Sequence, residues 1–178
     1  MSKLPPEHRF LDLSDYGRPI AKWMANIFKH TPITPVGVTI LFIISGMGAI
    51  YCMLHEWFWL SAGLLVLKSI LDAADGELAR VKNTPSQTGR YLDSIADILL
   101  NLLFLLTIWY ITKGSLLWTL VSFACVQLQG TLYNFYYVIL RNRLQGDKTS
   151  RVFETERPIA LGGESQKVVD ILYGMYTF

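Results

Sequence analysis

A chain of 178 residues that is 52% hydrophobic and only 17% charged, with a mean hydropathy of +0.33, does not read as a water-soluble globule. It reads as a membrane protein of one domain. Sixteen Lys and Arg against 14 Asp and Glu leave a net charge of +2, and no nucleic-acid partner is expected. Cys52 and Cys125 lie far apart inside apolar runs, which excludes a cysteine metal quartet and predicts two small buried hydrophobes.

The N-terminal arm is polar and charged, with no short apolar core of the secretory type. Between His8 and His30, Phe10, Leu11 and Leu13 lead into Ile20, Trp23, Met24, Ile27 and Phe28, which follow a helical stripe with Arg18, Lys22 and Lys29 off it. That pattern predicts an amphipathic helix lying in the membrane interface, in a cytoplasmic arm covering residues 1–30. Thr31-Pro32-Ile33-Thr34-Pro35 breaks the chain before the membrane domain, residues 31–178. Val36–Leu54 is a first span of the length needed to cross the hydrocarbon, with Ser45, Gly46, Gly48 and Ala49 as a small face for close helix contact. After a tight turn at His55-Glu56, Trp57 and Trp59 stand where an aromatic belt belongs.

The second span runs from near Trp57 to about Arg80, and its last turns carry acids. The third runs from about Tyr91 to Ile111 and begins with acids. Asp72, Asp75, Gly76 and Ala79 fall on one helical stripe, and Gly89, Asp93 and Asp97 form another at intervals of four. The short polar link around Asn83-Thr84-Pro85-Ser86 predicts antiparallel neighbours whose four carboxylates converge. Charges next to hydrocarbon are retained where they line a polar cavity, pair, or hold an ion. A cluster of like charges stays ionised only around cations, and oxygen-only donors select hard divalent ions, Mg²⁺ first, then Mn²⁺ or Ca²⁺. Gly76, Ala79 and Gly89 leave room for a flat or phosphorylated ligand.

Lys113-Gly114-Ser115 turns the chain into a fourth span, Leu116–Leu140. A polar loop with Arg141, Arg143, Lys148, Arg151 and Arg157 follows, and from about Lys167 an apolar run starts that is too short to cross. The fold expected is thus an all-α integral membrane protein, a polytopic helical bundle of four full spans plus the start of a fifth. The arm, the Arg80–Arg90 link and the Arg141–Arg157 loop hold 13 of the 16 Lys and Arg residues. The basic side is the cytoplasmic side, so the acidic pocket is expected to open there. No Rossmann glycine pattern, P-loop, or Ser or Cys nucleophile with a partnered His is visible; His8, His30 and His55 are scattered.

The order D-x-x-D-G-x-x-A-R-x8-G-x3-D-x3-D, complete as Asp72, Asp75, Gly76, Ala79, Arg80, Gly89, Asp93 and Asp97, resembles the signature of the CDP-alcohol phosphotransferases (phosphatidyltransferases), membrane enzymes of phospholipid synthesis. The resemblance implies displacement of CMP from a CDP-linked donor by an alcohol, with two Mg²⁺ or Mn²⁺ ions. It implies metal ligation by Asp72, Asp75, Asp93 and Asp97, catalytic roles for Asp93 and Asp97 with Asp97 as general base, and a floor for the CDP moiety at Gly76, Ala79 and Gly89. Thr39 fits the family's usual Thr and would contact the CDP moiety, although Pro35 is followed by Val36 where many members have Asn. Arg80 would contact donor phosphate or pair with an acid. Ser94-Ile95-Ala96 lacks the His-Gly pair frequent in choline and ethanolamine enzymes, which favours CDP-diacylglycerol as donor and a small polyol, polyol phosphate or serine as acceptor. Lys68, Arg141 and Arg143 are candidates for holding an acceptor phosphate; the loop arginines also fit positive-inside bias and anionic headgroups, and Lys68 could pair with an acid. Family members have six spans, so the sequence is either a fragment or a shortened core, and a homodimer is implied. A divalent-cation or proton-coupled transporter using the same aspartates is the reading from another class.

Overall fold

The computed structural model describes residue 7 and residues 16–144 and 157–177. Expectations for Phe10, Leu11, Leu13, His8, Lys148 and Arg151 therefore lie outside the described residues. The regular elements described are six α-helices: α1 Arg18–Phe28, α2 Pro35–Leu54, α3 Phe58–Lys82, α4 Gln87–Thr112, α5 Leu116–Arg143 and α6 Gln166–Thr177. No β-strand occurs among the described residues, so the expected all-helical architecture is present.

Pro19 sits in the first turn of α1, where its missing N–H costs nothing. Ala21 and Ala25, one turn apart, are fully buried, and α1 packs on α3. Ile20, Trp23 and Ile27 remain exposed, Trp23 at 65%. The anticipated apolar stripe is therefore split: Met24 and Phe28 join the core, and the other flank faces outward. Lys82 ties the α1–α2 connection down by donating from Nζ to the carbonyls of Thr31 (2.7 Å) and Ile33 (2.8 Å).

α2 is the centre of the bundle and packs on both α3 and α4. Thr34 caps its start by accepting from the Gly37 N–H at 3.1 Å. Its small face performs as expected. The Ser45 hydroxyl donates to the Leu64 carbonyl and the Ser61 hydroxyl donates to the Ala49 carbonyl, both at 2.8 Å, which requires the two backbones to approach closely. Toward α4, a Cβ on Gly46 would come within 2.7 Å of the Leu100 side chain. Val38, Phe42, Leu71, Ala74, Leu78, Ala96 and Leu100 complete the shared core.

The structure corrects four expectations. α3 and α4 are not a closely packed pair: α2 contacts both, and the side chains of the two acidic helices meet across a gap. Carboxylates lining both walls cannot be close-packed as apolar ridges can. Secondly, three helices, α2, α4 and α5, have both the length and the apolar composition of a membrane span. α3 has 25 residues, roughly 37 Å, but the charges in its second half keep it out of that class. Thirdly, the third long helix starts at Gln87 rather than near Tyr91, because Ser86 caps it by accepting from the Gly89 N–H at 2.8 Å. Lastly, Cys52 is buried but Cys125 is exposed, since among the described elements α5 packs mainly along α4 and shows most of its side chains. The expected short final run is α6, 12 residues that pack on α4 through Val169 and through Tyr173 and Tyr176 against the buried Tyr91.

Gly46→Ala should lower the melting temperature in detergent, by an overpacking cost of about 1–3 kcal/mol. Gly63→Ala, where nothing lies within 4 Å of the new methyl group, should leave stability unchanged or raise it slightly.

Candidate active site

The second half of α3 and the first half of α4 bring all four aspartates to one region. Asp72 is in hydrogen-bonding contact with Asp93, and Asp75 and Asp97 lie close enough to act on Asp93 electrostatically. Carboxylates this near one another repel unless a proton or a cation is shared between them. Asp93 Oδ1 is buried with no hydrogen-bond partner. A buried oxygen left without a donor costs free energy, and such an exception asks for an explanation in terms of an unseen ion, a water or a catalytic role.

Each of the other acids has a different neighbour. Asp75, on the buried side of α3, accepts from the Thr39 hydroxyl at 2.8 Å, and that hydroxyl is itself 1% exposed. Asp97 pairs with Lys68 Nζ at 2.6 Å and accepts from Asn101 Nδ2 at 3.3 Å. Lys68 also stands over the Phe42 ring, 4.7 Å from its centroid. Of the two roles left open for Lys68, the structure displays the pairing with an acid. Because the Asp97 side chain is 47% exposed, that pair is a positional device more than a stabilising one. Arg80 pairs with Glu77 at 3.0 Å and keeps 27% of its side chain exposed.

The small residues differ in what their smallness serves. At Gly76 a Cβ would meet nothing nearer than the Arg80 guanidinium at 3.6 Å, so open space borders the acidic stripe. At Gly89 a Cβ would meet Ser86 Oγ at 3.1 Å and Val36 at 3.4 Å, so its smallness is used in the cap and in the approach of α4 to α2. Ala79 is partly buried beside Arg80. At the end of α5, Arg141 is 1% exposed, and its Nε and Nη2 have no hydrogen-bond partner, whereas Arg143 is exposed. A shallow apolar groove of about 310 Å³ on the outer face of α5, lined by Leu132, Tyr133, Tyr136, Tyr137 and Leu140, involves none of the acids.

The donor set suits a hard divalent cation in kind, since every candidate atom is a carboxylate oxygen and one of them is buried without a partner. Among the described residues, no three His, Cys, Asp or Glu side chains close on one point at metal-holding geometry. Asp75 and Asp97 are turned to Thr39 and to Lys68 and Asn101 instead.

The family model of the CDP-alcohol phosphatidyltransferases matches residues 32–155, which contain α2 to α5 and all four acids. The chain belongs to that family. The bifunctional IPC transferase and DIPP synthase of Thermococcus kodakarensis is 34% identical over 108 residues, 53% of this chain and 25% of that protein. The CDP-diacylglycerol–serine O-phosphatidyltransferases of Mycobacterium bovis and Mycobacterium tuberculosis are 30% identical over 107 residues, 57% of this chain and 37% of theirs. The chain thus spans about a quarter to a third of the length of these relatives. No solved structure matches it.

Three participants escaped the motif. Glu77, Asn101 and Glu164 hold Arg80, Asp97 and the first turn of α4 respectively. Glu77 and Asn101 were open to helical spacing, at i−3 from Arg80 and i+4 from Asp97. Glu164 had no local signal at all. Partial burial pushes its carboxyl up, but hydrogen bonds from Ser86, Leu161, Thr88 and Gln87 outweigh this and hold it below the ordinary carboxylate value.

Thr39→Val keeps the shape of the side chain but removes the donor to Asp75. It should destabilise the protein by about 1–3 kcal/mol in denaturant unfolding in detergent, and Thr39→Ser, which restores the hydroxyl, should recover most of that loss.

Proposed function

We propose that this protein transfers a substituted phosphate group from a CDP-linked donor, CDP-diacylglycerol before others, to the hydroxyl of a small alcohol, releasing CMP in a metal-dependent reaction. The observation that carries the reading is the meeting of Asp72 and Asp93 across the α3–α4 gap with one buried oxygen left unpartnered. Family membership supports the reaction class, and similarity to the mycobacterial CDP-diacylglycerol–serine O-phosphatidyltransferases supports a CDP-diacylglycerol donor.

In this reading Asp72, Asp75, Asp93 and Asp97 hold Mg²⁺ or Mn²⁺, two ions if all four take part, which would supply charge neutralisation of the pyrophosphate and polarisation of the phosphorus. Gly76 and Ala79 leave the surface of α3 open for the CDP moiety, with Gly89 opposite. Arg80 would exchange Glu77 for donor phosphate. Asp97, the most accessible of the acids on α4, accepts the proton of the attacking hydroxyl. Thr39 acts through Asp75, whose carboxylate it orients. Lys68 and Asn101 orient Asp97. The buried guanidinium of Arg141, whose Nε and Nη2 have no hydrogen-bond partner, favours an acceptor that brings its own anionic group, because buried charged donors left unsatisfied are costly unless a ligand completes them. Arg143 adds charge at the same helix end.

The basic residues Arg80, Lys82, Arg90, Arg141 and Arg143 gather at the helix ends nearest the acids, which supports a site at the cytoplasmic face of the membrane. The outward Ile20, Trp23 and Ile27 of α1 fit a seat in the same interface. A homodimer is part of this proposal, the exposed face of α5 being available for it.

The test is CMP release from CDP-diacylglycerol by the purified protein in vesicles with MgCl₂, screened over glycerol 3-phosphate, inositol phosphate, inositol, serine and choline. Turnover should require the divalent ion and favour an anionic acceptor. Asp97→Asn should reduce kcat by about 10²–10⁴-fold, and Asp93→Asn should also abolish the stabilisation that Mg²⁺ gives the wild type in a melt. Cation uptake by the vesicles without any nucleotide, and no CMP with any acceptor, would replace the enzyme by a transporter.

A further inference from the structure

An α-helix opens with four N–H groups that find no partner inside it. In α4 those of Gln87, Thr88 and Gly89 are satisfied, the Ser86 carbonyl taking the first bond of the helical ladder, and the partners come from two distant parts of the chain. Gly89 N–H donates to Ser86 Oγ at 2.8 Å, and Arg90 N–H donates to the Ser86 carbonyl at 3.2 Å. Thr88 N–H donates to Glu164 Oε1 at 2.9 Å and Gln87 N–H donates to Glu164 Oε2 at 3.2 Å. The Ser86 hydroxyl, acceptor for Gly89, donates in turn to Glu164 Oε1 at 2.6 Å. One carboxylate from beyond α5 thus completes the cap of the helix that carries Asp93 and Asp97. Its charge also complements the helix dipole at that end.

The carboxylate is itself built into place. The turn before it closes through Glu164 N–H to the Leu161 carbonyl at 3.0 Å, and Leu161 N–H returns a bond to Glu164 Oε2 at 3.0 Å. Gly163 takes φ +89° there, a conformation that side chains rarely adopt. Gln166 braces the turn by accepting from Ala160 N–H and donating to the Pro158 carbonyl. α6 then runs on from this turn and packs against α4 through Val169 and the Tyr91–Tyr173–Tyr176 cluster.

The position of this clamp matters because α3 and α4 do not pack closely on each other. Further along α4, register is held by Gly46 and Leu100. At the first turn, Gly89 approaches α2 at Val36, and Glu164 fixes the residues just before it. Asp93 follows Gly89 by one turn.

We infer that Glu164 is a positioning residue of the donor site, clamping the first turn of α4 so that Gly89 stays against α2 at Val36 and Asp93 meets Asp72 of α3 in a fixed register. The inference rests on the transferase reading above. Loss of the clamp loosens Gln87–Gly89 more than the deeper Asp93 and Asp97, so donor binding suffers before turnover does.

The experiment compares full-length wild type, Glu164→Ala and Glu164→Gln in vesicles, by amide hydrogen exchange at Gln87–Gly89 and by KM and kcat for CDP-diacylglycerol. In Glu164→Ala the exchange of these amides should accelerate and the donor KM should rise, each by about tenfold, the usual scale for losing a cap, with kcat changed less than about twofold on the same reasoning. Glu164→Gln keeps one accepting oxygen, enough for Ser86 and Thr88 but not for Gln87 and Leu161, and should fall between the two; it carries the test if the alanine variant does not fold. Unchanged exchange in both variants overturns the clamp. Faster exchange with an unmoved donor KM, or a kcat that falls as far as KM rises, overturns the link to the donor site. A wild type that releases no CMP from any CDP-linked donor overturns the transferase reading and the donor-site role with it, while the exchange data still judge the clamp.

Discussion

Carboxylates set among apolar helices must each find a partner, and that requirement shapes the whole bundle. Four aspartates cannot be interdigitated like leucines, so the helices that carry them stand apart and both pack on a third helix, α2. α2 meets the need twice over: Thr39 gives Asp75 a hydrogen bond, and the small face of the same helix lets α3 and α4 each approach it closely. Lys68 and Asn101 serve Asp97, Glu77 serves Arg80, and among the described carboxylates only Asp93 keeps a buried oxygen without a donor.

Holding two acidic helices at a set distance without direct packing calls for fixtures at both ends. In the apolar interior these are backbone approaches, with hydroxyls of Ser45 and Ser61 bonded to carbonyls of the opposite helix. Near the acids they are hydrogen bonds to helix ends. Asn83 ends α3 in the left-handed conformation, Lys82 captures two carbonyls of the preceding connection, and Ser86 with Glu164 begins α4. Polar fixtures belong at that end because the backbone groups there have no helical partner.

The outer part of the bundle is held much less. α5 buries only Val138 and Arg141, and the described residues of α6 bury only Val169. Arg141 is the exception, a buried guanidinium whose Nε and Nη2 have no hydrogen-bond partner. The family match runs through α5 and stops at residue 155, before α6.

Helix positions and the acidic motif could be read directly from residue order, because apolar run length, Pro and Ser at helix starts, and intervals of three and four are local properties. Asp72, Asp75, Asp93 and Asp97 were found that way, as were the small residues of α2, whereas Thr39 was expected only from the family resemblance. Other features depend on contacts that residue order does not encode. These include the separation of α3 from α4, the exposure of Cys125, the choice of Lys68 for Asp97, and the use of Gly89's smallness for packing against Val36. Glu164 is the clearest case: it acts on residues 76 to 78 positions earlier. Local spacing names the groups that can react, whereas only packing in three dimensions decides which neighbour each one meets, because burial makes every unpaired polar atom costly wherever in the chain its partner lies.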